Sequence, residues 1–114
     1  MPEPARWDVW VVPFPFTDRL AEKRRPALVI SADELFRDHG LVWMAMITST
    51  SINRWTSDIE VKDLSAAGLM IPCRIRIAKI AAVEPARLIA RRGGLSVRDV
   101  KSVLSGLSRY LPTS

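Results

Sequence analysis

Apolar residues in this chain gather into short runs, each closed by proline, glycine or a polar cluster. Residues 7–14 are rich in Val and Trp and read as a first strand, which Pro13 and Pro15 close because a proline has no N–H for a ladder. A long polar, charged loop follows over residues 15–25, and loops of that length usually carry function or are mobile. Residues 26–31 read as the next strand. Ser31, Ala32, Asp33 and Glu34 then look like a helix start and Gly40 a stop, which predicts a short helix over 33–38. Residues 41–48 are a continuous apolar run that suits a buried central strand. A polar loop over 49–56 and a short strand over 58–61 come next, and residues 66–72 read as a turn-rich connection. Alternation over 73–80 sets Arg74, Arg76 and Ala78 on one face against Ile75 and Ile77 on the other, as in a half-exposed strand. Residues 87–92 read as a further pairing segment before Gly93 and Gly94. A C-terminal helix is expected from Ser96 to about Leu107, with Ser96 and Asp99 as a capping pair and Val97, Val100, Val103, Leu104 and Leu107 as its apolar stripe. Several short strands with two helices predict a mainly β fold, an antiparallel barrel with helical additions.

Composition narrows the functional classes. A chain of 114 residues makes a single domain, here with a loose tail over 1–6. No apolar run reaches transmembrane length, and no basic region followed by an apolar stretch opens the chain, so neither a membrane role nor secretion is expected. The single Cys73 excludes an internal disulfide and fits a reducing cytoplasm. With one cysteine and one histidine a dedicated zinc site lacks its usual ligands, and no metal or other cofactor is expected. The net charge of +5 favours an anionic partner such as nucleic acid or an acidic protein. Brought to one face, Arg24, Arg25, Arg54, Arg74, Arg76, Lys79, Arg91 and Arg92 would form a phosphate track.

Candidate chemistry begins at Arg25. Pro26 fixes its own φ and biases the preceding residue toward extended geometry, which holds Arg25 at the mouth of a strand. A guanidinium so placed offers a planar fork of donors suited to phosphate, although a plain loop cation would look the same in isolation. Two further segments flank it: Val12, Pro13, Phe14, Pro15, Phe16, Thr17 and Asp18 before it, and Met46, Ile47, Thr48, Ser49 and Thr50 after it. In this order and at these spacings the three resemble the MazF/PemK family of toxins from toxin–antitoxin pairs, and the resemblance runs from about Trp7 to the C-terminal helix. It implies an SH3-like barrel of the MazF/PemK/CcdB type with a short helix after the second strand, a homodimer, and metal-independent endoribonuclease activity on single-stranded RNA, neutralised by a cognate antitoxin.

Metal-free RNA cleavage needs an aligned 2′-hydroxyl, charge neutralisation at the phosphorane, and proton transfer. The resemblance assigns catalysis to Arg25 and Thr48. A guanidinium stays protonated in proteins, so Arg25 serves as an electrostatic stabiliser and the general base is left open. Thr48 would hydrogen-bond a phosphate oxygen; alternatively it is a strand-end hydroxyl bonded to backbone. Substrate contacts are expected from Phe16, Thr17, Arg24, Ser49, Arg54, Trp55 and Arg76. Trp55 is either a stacking surface for an unpaired base or a packed loop anchor. His39 reads as a residue at a helix C-terminus rather than an acid/base. Trp10 and Trp43 are expected in the core or a dimer interface. Two departures from the family stand out: Trp7 replaces a glycine before Asp8, and Ala78 replaces the aspartate of an Arg-x-Asp pair begun by Arg76. The second removes one candidate base and leaves Glu22 as a possible acid/base. Two rival readings are a CcdB-like poison of DNA gyrase and a catalytically silent barrel that binds nucleic acid or antitoxin.

Overall fold

The computed structural model describes residues 3–13 and 24–112. Six strands form one curled antiparallel sheet: β1 (Asp8–Pro13), β2 (Arg24–Val29), β3 (Val42–Ser49), β4 (Ile59–Glu60), β5 (Cys73–Val83) and β6 (Ala90–Gly94), in the spatial order β4-β5-β3-β2-β1-β6. Three α-helices accompany it, α1 (Asp33–His39), α2 (Leu64–Ala67) and α3 (Val97–Ser108), with a 3-10 turn at Pro85–Arg87. This is the mainly β, curled-sheet architecture expected.

The central strand β3 dictates the layering. Its residues from Met44 to Ile47 are all buried, so both of its faces need cover. On one face Val9, Leu28, Ala45, Ile47, Ile75 and Ile77 pack with Val103 and Leu107 of α3. On the other, Trp10, Val12, Ala27, Val29, Met44 and Met46 pack with Leu88, and Phe36 of α1 closes over them. Alternation in paired strands sends consecutive residues to opposite faces, which is why two adjoining clusters form rather than one.

Several expectations need correction. The C-terminal stripe is narrower than the sequence pattern: Val103 and Leu107 are buried, whereas Val97 and Leu104 are exposed. Ser96 caps α3 by accepting from the Asp99 N–H at 3.2 Å, but Asp99 does not reach back to complete the pair. Its fully buried carboxylate instead accepts from the backbone N–H groups of Lys62, at 3.0 and 3.1 Å, and Asp63, at 3.0 Å. That ties α3 to the segment leading into α2, a helix whose last residues fall in the stretch read as turn-rich. β5 runs past Ile80 to Val83. It is not half-exposed near its start, because Ile75, Arg76 and Ile77 are all buried.

Two glycines seat α2 against β6. Gly68 ends α2 at φ +70, and a Cβ there would lie 2.1 Å from the Arg92 carbonyl oxygen. A Cβ on Gly93 would lie 2.3 Å from the Ala66 carbonyl oxygen. Backbone therefore meets backbone, and the end of α2 is held over the second half of β6. Gly40 ends α1 at a similar φ of +67 but has nothing within 4 Å of its would-be Cβ. Comparing the two positions isolates the close approach from the cost of left-handed geometry. Gly40→Ala should lower stability by about 1–2 kcal/mol. Gly68→Ala should lower it clearly more, read as the difference in urea midpoint at equal m-value; equal losses would show that no close contact is made at Gly68.

Candidate active site

The ends of β2 and β3 carry the two residues that the motifs single out. The β2–β3 register runs Val29↔Met44, Leu28↔Ala45, Ala27↔Met46 and stops short of Pro26, which has no N–H to donate. Two further steps along the same antiparallel register bring Arg25 opposite Thr48, on the sheet face shared by Ala27 and Met46. The β3–β5 register adds Arg74 opposite Thr48 and Arg76 opposite Met46. This last pairing depends on an irregularity in the ladder, where consecutive Ala45 and Met46 face Ile80 and Arg76.

Arg25 and Thr48 border a cavity of about 630 Å³ at these strand ends, together with Arg24, Ser49, Gly68, Leu69, Met70, Ile71, Cys73, Ile89 and Arg92 among others. No acidic residue is among its described lining, and three arginines are, so the cavity favours an anion. Among the described residues, two buried side-chain polar atoms lack a hydrogen-bond partner: Arg25 Nε and Thr48 Oγ1. Thr48 is only 2% exposed. Buried polar groups are ordinarily satisfied, and leaving one unpaired costs about 1–3 kcal/mol. Both exceptions belong to residues that border the cavity, and the register sets both side chains on the sheet face of Ala27 and Met46.

The remaining expected site residues divide. Arg24 is exposed on the cavity's edge. The Ser49 hydroxyl lies 3.0 Å from that of Ser51 and also accepts from the Ser51 N–H. Phe16, Thr17 and Glu22 lie outside the described residues. Arg76 is not on the cavity. It is 4% exposed and forms a two-pronged ion pair with Asp58, Nε to Oδ1 at 3.2 Å and Nη2 to Oδ2 at 2.9 Å. Asp58 is thus the carboxylate of Arg76, while Ala78 is exposed. Arg54 donates to the Asp58 carbonyl oxygen at 3.3 Å, and Trp55 lies over the Arg76 guanidinium.

The cavity wall formed by Gly68 to Ile71, Cys73, Ile89 and Arg92 has no counterpart in the sequence reading. The α2–β6 contact assembles it, and only the glycines at 68 and 93 hint at such an approach. Cys73 is no nucleophile: its Sγ donates to the Ile71 carbonyl oxygen at 3.2 Å, and burial pushes its pKa above the ordinary thiol value. His39 ends α1 and is exposed, bordering a separate cavity of about 340 Å³. Trp10 lies in the core, whereas Trp43 is 48% exposed. No group of three or more His, Cys, Asp or Glu side chains among the described residues could hold a metal ion.

Trp7 is a bulky residue in a glycine-like position. Its φ is +75, a conformation rare for large side chains. The backbone is held there by hydrogen bonds from Trp7 N–H to the Val29 carbonyl at 2.8 Å and from Leu95 N–H to the Trp7 carbonyl at 2.9 Å. The ring turns aside to pack on the first core cluster, with the Arg6 guanidinium 4.5 Å from its centroid. Asp8 beside it accepts from Trp10 Nε1 at 3.2 Å and from Arg91 Nε at 3.1 Å.

Several solved structures share this fold at low sequence identity. An endoribonuclease from a mycobacterial species, in complex with its cognate antitoxin, matches with a TM-score of 0.76 at 13% identity, covering 100% of this chain and 98% of that one. MazF from Deinococcus radiodurans matches at 0.74 and 18% identity, over 99% and 100%. The Mycobacterium tuberculosis toxin MazF-mt6 matches at 0.70 and 18% identity, over 94% and 98%. No curated protein sequence matches the chain. At these identities the structures speak for the fold alone. The family model for PemK-like, MazF-like toxins of type II toxin–antitoxin systems matches residues 5–111. The chain, with a MazF-like curled sheet and an Arg25–Thr48 cavity at its strand ends, belongs to that family of toxins, which are generally endoribonucleases.

Proposed function

We propose that this chain is an endoribonuclease toxin that cleaves single-stranded RNA through its own 2′-hydroxyl, without a metal, at the Arg25–Thr48 cavity. The observation that carries the reading is the pair of buried, unpartnered polar atoms, Arg25 Nε and Thr48 Oγ1, on two residues that border one cationic cavity. Both are donors, and a phosphodiester supplies acceptors to both. The 2′-oxygen gives its proton to a base and attacks the adjacent phosphorus, the bond to the 5′-oxygen breaks and that oxygen takes a proton to leave as a hydroxyl, and a 2′,3′-cyclic phosphate remains. Arg25 neutralises the charge that grows on the phosphorane, and Thr48 donates to a non-bridging oxygen. The proton acceptor is not among the cavity's described lining residues, none of which is a carboxylate or imidazole. Glu22 is the candidate in the β1–β2 connection.

The partners follow from the same surface. RNA lies against Arg24, Arg25 and Arg92. A cognate antitoxin competes for that cationic surface through acidic residues, in keeping with the antitoxin complexes among the structural neighbours. A second copy of the chain is the third partner. The exposed apolar side chains available to it include Trp43, Leu104, Tyr110 and Leu111, and Trp10 is excluded by its burial.

Incubating the purified chain with single-stranded RNA in excess EDTA tests the reaction. Cleavage leaving 2′,3′-cyclic ends supports it; retention without cleavage would leave a binding module, and gyrase-dependent DNA breaks would overturn it. Arg25→Ala should reduce the cleavage rate about a hundred- to thousandfold with the fold intact, and wild-type rates in that variant would remove Arg25 from the mechanism. Thr48→Val separates function from stability. Removing a hydroxyl that has no partner should leave stability equal or raise it by about 1 kcal/mol, while activity falls. A thermal midpoint well below wild type would show that Thr48 has a structural bond instead. For three phosphate contacts the logarithm of RNA affinity should fall against the logarithm of salt with a slope of about −2, and a flat dependence would mean that these arginines do not meet phosphate.

A further inference from the structure

The loop from Thr50 to Asp58 is held by arginines that the cavity does not use. Arg74, opposite Thr48, donates to the carbonyl oxygens of Thr50 at 3.3 Å and Ile52 at 3.1 Å. Arg76 donates to the Asn53 carbonyl at 2.8 Å besides its two bonds to Asp58. Asp58 in turn accepts from the Trp55 N–H at 2.9 Å. A guanidinium this deeply buried needs full neutralisation, and Asp58 provides it. The result is a loop fixed at three carbonyls and one amide.

The product of this clamp is the placement of Trp55. The Arg76 guanidinium carbon lies 4.2 Å from the centroid of the Trp55 ring, and Lys79 Nζ lies 5.9 Å from it. Trp55 is nevertheless 43% exposed. That exposure leaves part of the residue open to a ligand despite the two cations near its ring. A packed loop anchor would hide the ring; here the ring itself hides the arginine. The register fixes the Arg76 beside the ring relative to Thr48. Arg76 faces Met46, two residues before Thr48 on the same side of β3, so it is a diagonal neighbour of Thr48 at about 7–8 Å.

We propose that Trp55 is the stacking platform for the nucleobase next to the phosphate held by Arg25 and Thr48, and that Asp58 and Arg76 are the positioning residues that set its angle. This rests on the endoribonuclease reading above and adds to it the subsite for the base. A ring face has no hydrogen-bonding code, so the platform gives affinity for any base and selects for unpaired ones.

The test uses short single-stranded RNAs with a 2′-O-methyl group at each possible attacking sugar and 2-aminopurine at successive positions. On wild-type protein, 2-aminopurine fluorescence should be quenched at one position flanking the protected phosphate. Trp55→Ala should abolish that quench and weaken binding roughly ten- to hundredfold, and Trp55→Phe should restore most of both. An abasic residue at that position should weaken binding to wild type and leave Trp55→Ala unaffected, a response that mere loop support would not produce. Asp58→Asn should lose the same quench, with no further loss on adding Trp55→Ala. If Asp58→Asn melts below the assay temperature, the Trp55 variants decide alone. Unchanged binding and quenching in Trp55→Ala would overturn the platform. Arg25→Ala separates the two readings: cleavage lost with the Trp55 quench retained supports both, whereas wild-type protein that quenches but never cleaves supports the base site and removes the enzyme.

Discussion

The need to cover both faces of β3 organises this molecule. A strand buried on each side cannot lie at a surface, so the sheet must curl and the helices must be shared between its faces. α3 takes one side, and α1 with Leu88 takes the other. Each buried aliphatic side chain in those clusters contributes about 1.5–3 kcal/mol relative to exposure, which fixes the strand in place. Burial stops being apolar at Thr48. There the strand presents a hydroxyl, opposite Arg25 near the start of β2, and the sheet changes from core to cavity wall.

Two arginines on the strands that flank β3 then meet opposite fates. Arg76 is buried with a carboxylate, a carbonyl and an aromatic face, and its Nε and Nη2 are both bonded within the fold. Arg25 keeps a buried Nε without a partner. A charge already satisfied within the fold has little to offer a phosphate, whereas a donor the fold leaves unsatisfied has more. Arg24, Arg25 and Arg92 lie on one cavity, while Arg91 is spent on Asp8 and Arg74 on loop carbonyls. The net charge of the chain therefore overstates the charge that a polyanion would meet.

Much of the fold was legible because its elements are local. The Val- and Trp-rich first strand, the apolar run of β3 and the Gly40 stop of α1 each carry their own period or punctuation. The four residues of α2 are too few for a helical period, and only the Asp63 side chain accepting from Ala66 N–H marks its start. The roles of Asp99 and Arg76 escape a sequence reading for a common reason. Alternation and capping patterns describe a residue's neighbours in sequence, and the partners of these two lie 37 or 36 and 18 residues away. In the site, Arg25 and Thr48 were legible from motif order. The wall from Gly68 to Ile71 was not, since it exists only where α2 meets β6.

The unpaired atoms of Arg25 and Thr48 also bear on how the protein responds to what it binds. Folding leaves them without partners and gives up part of the free energy that satisfied donors would contribute. A ligand that supplies two acceptors returns it, and returns it only to the native state, since the unfolded chain already bonds to water. Ligand occupancy and resistance to unfolding are then one linked equilibrium, with stabilisation growing as the logarithm of ligand concentration over its dissociation constant. An acidic segment that fills this cavity would therefore hold the toxin folded by the same contacts with which it keeps RNA out.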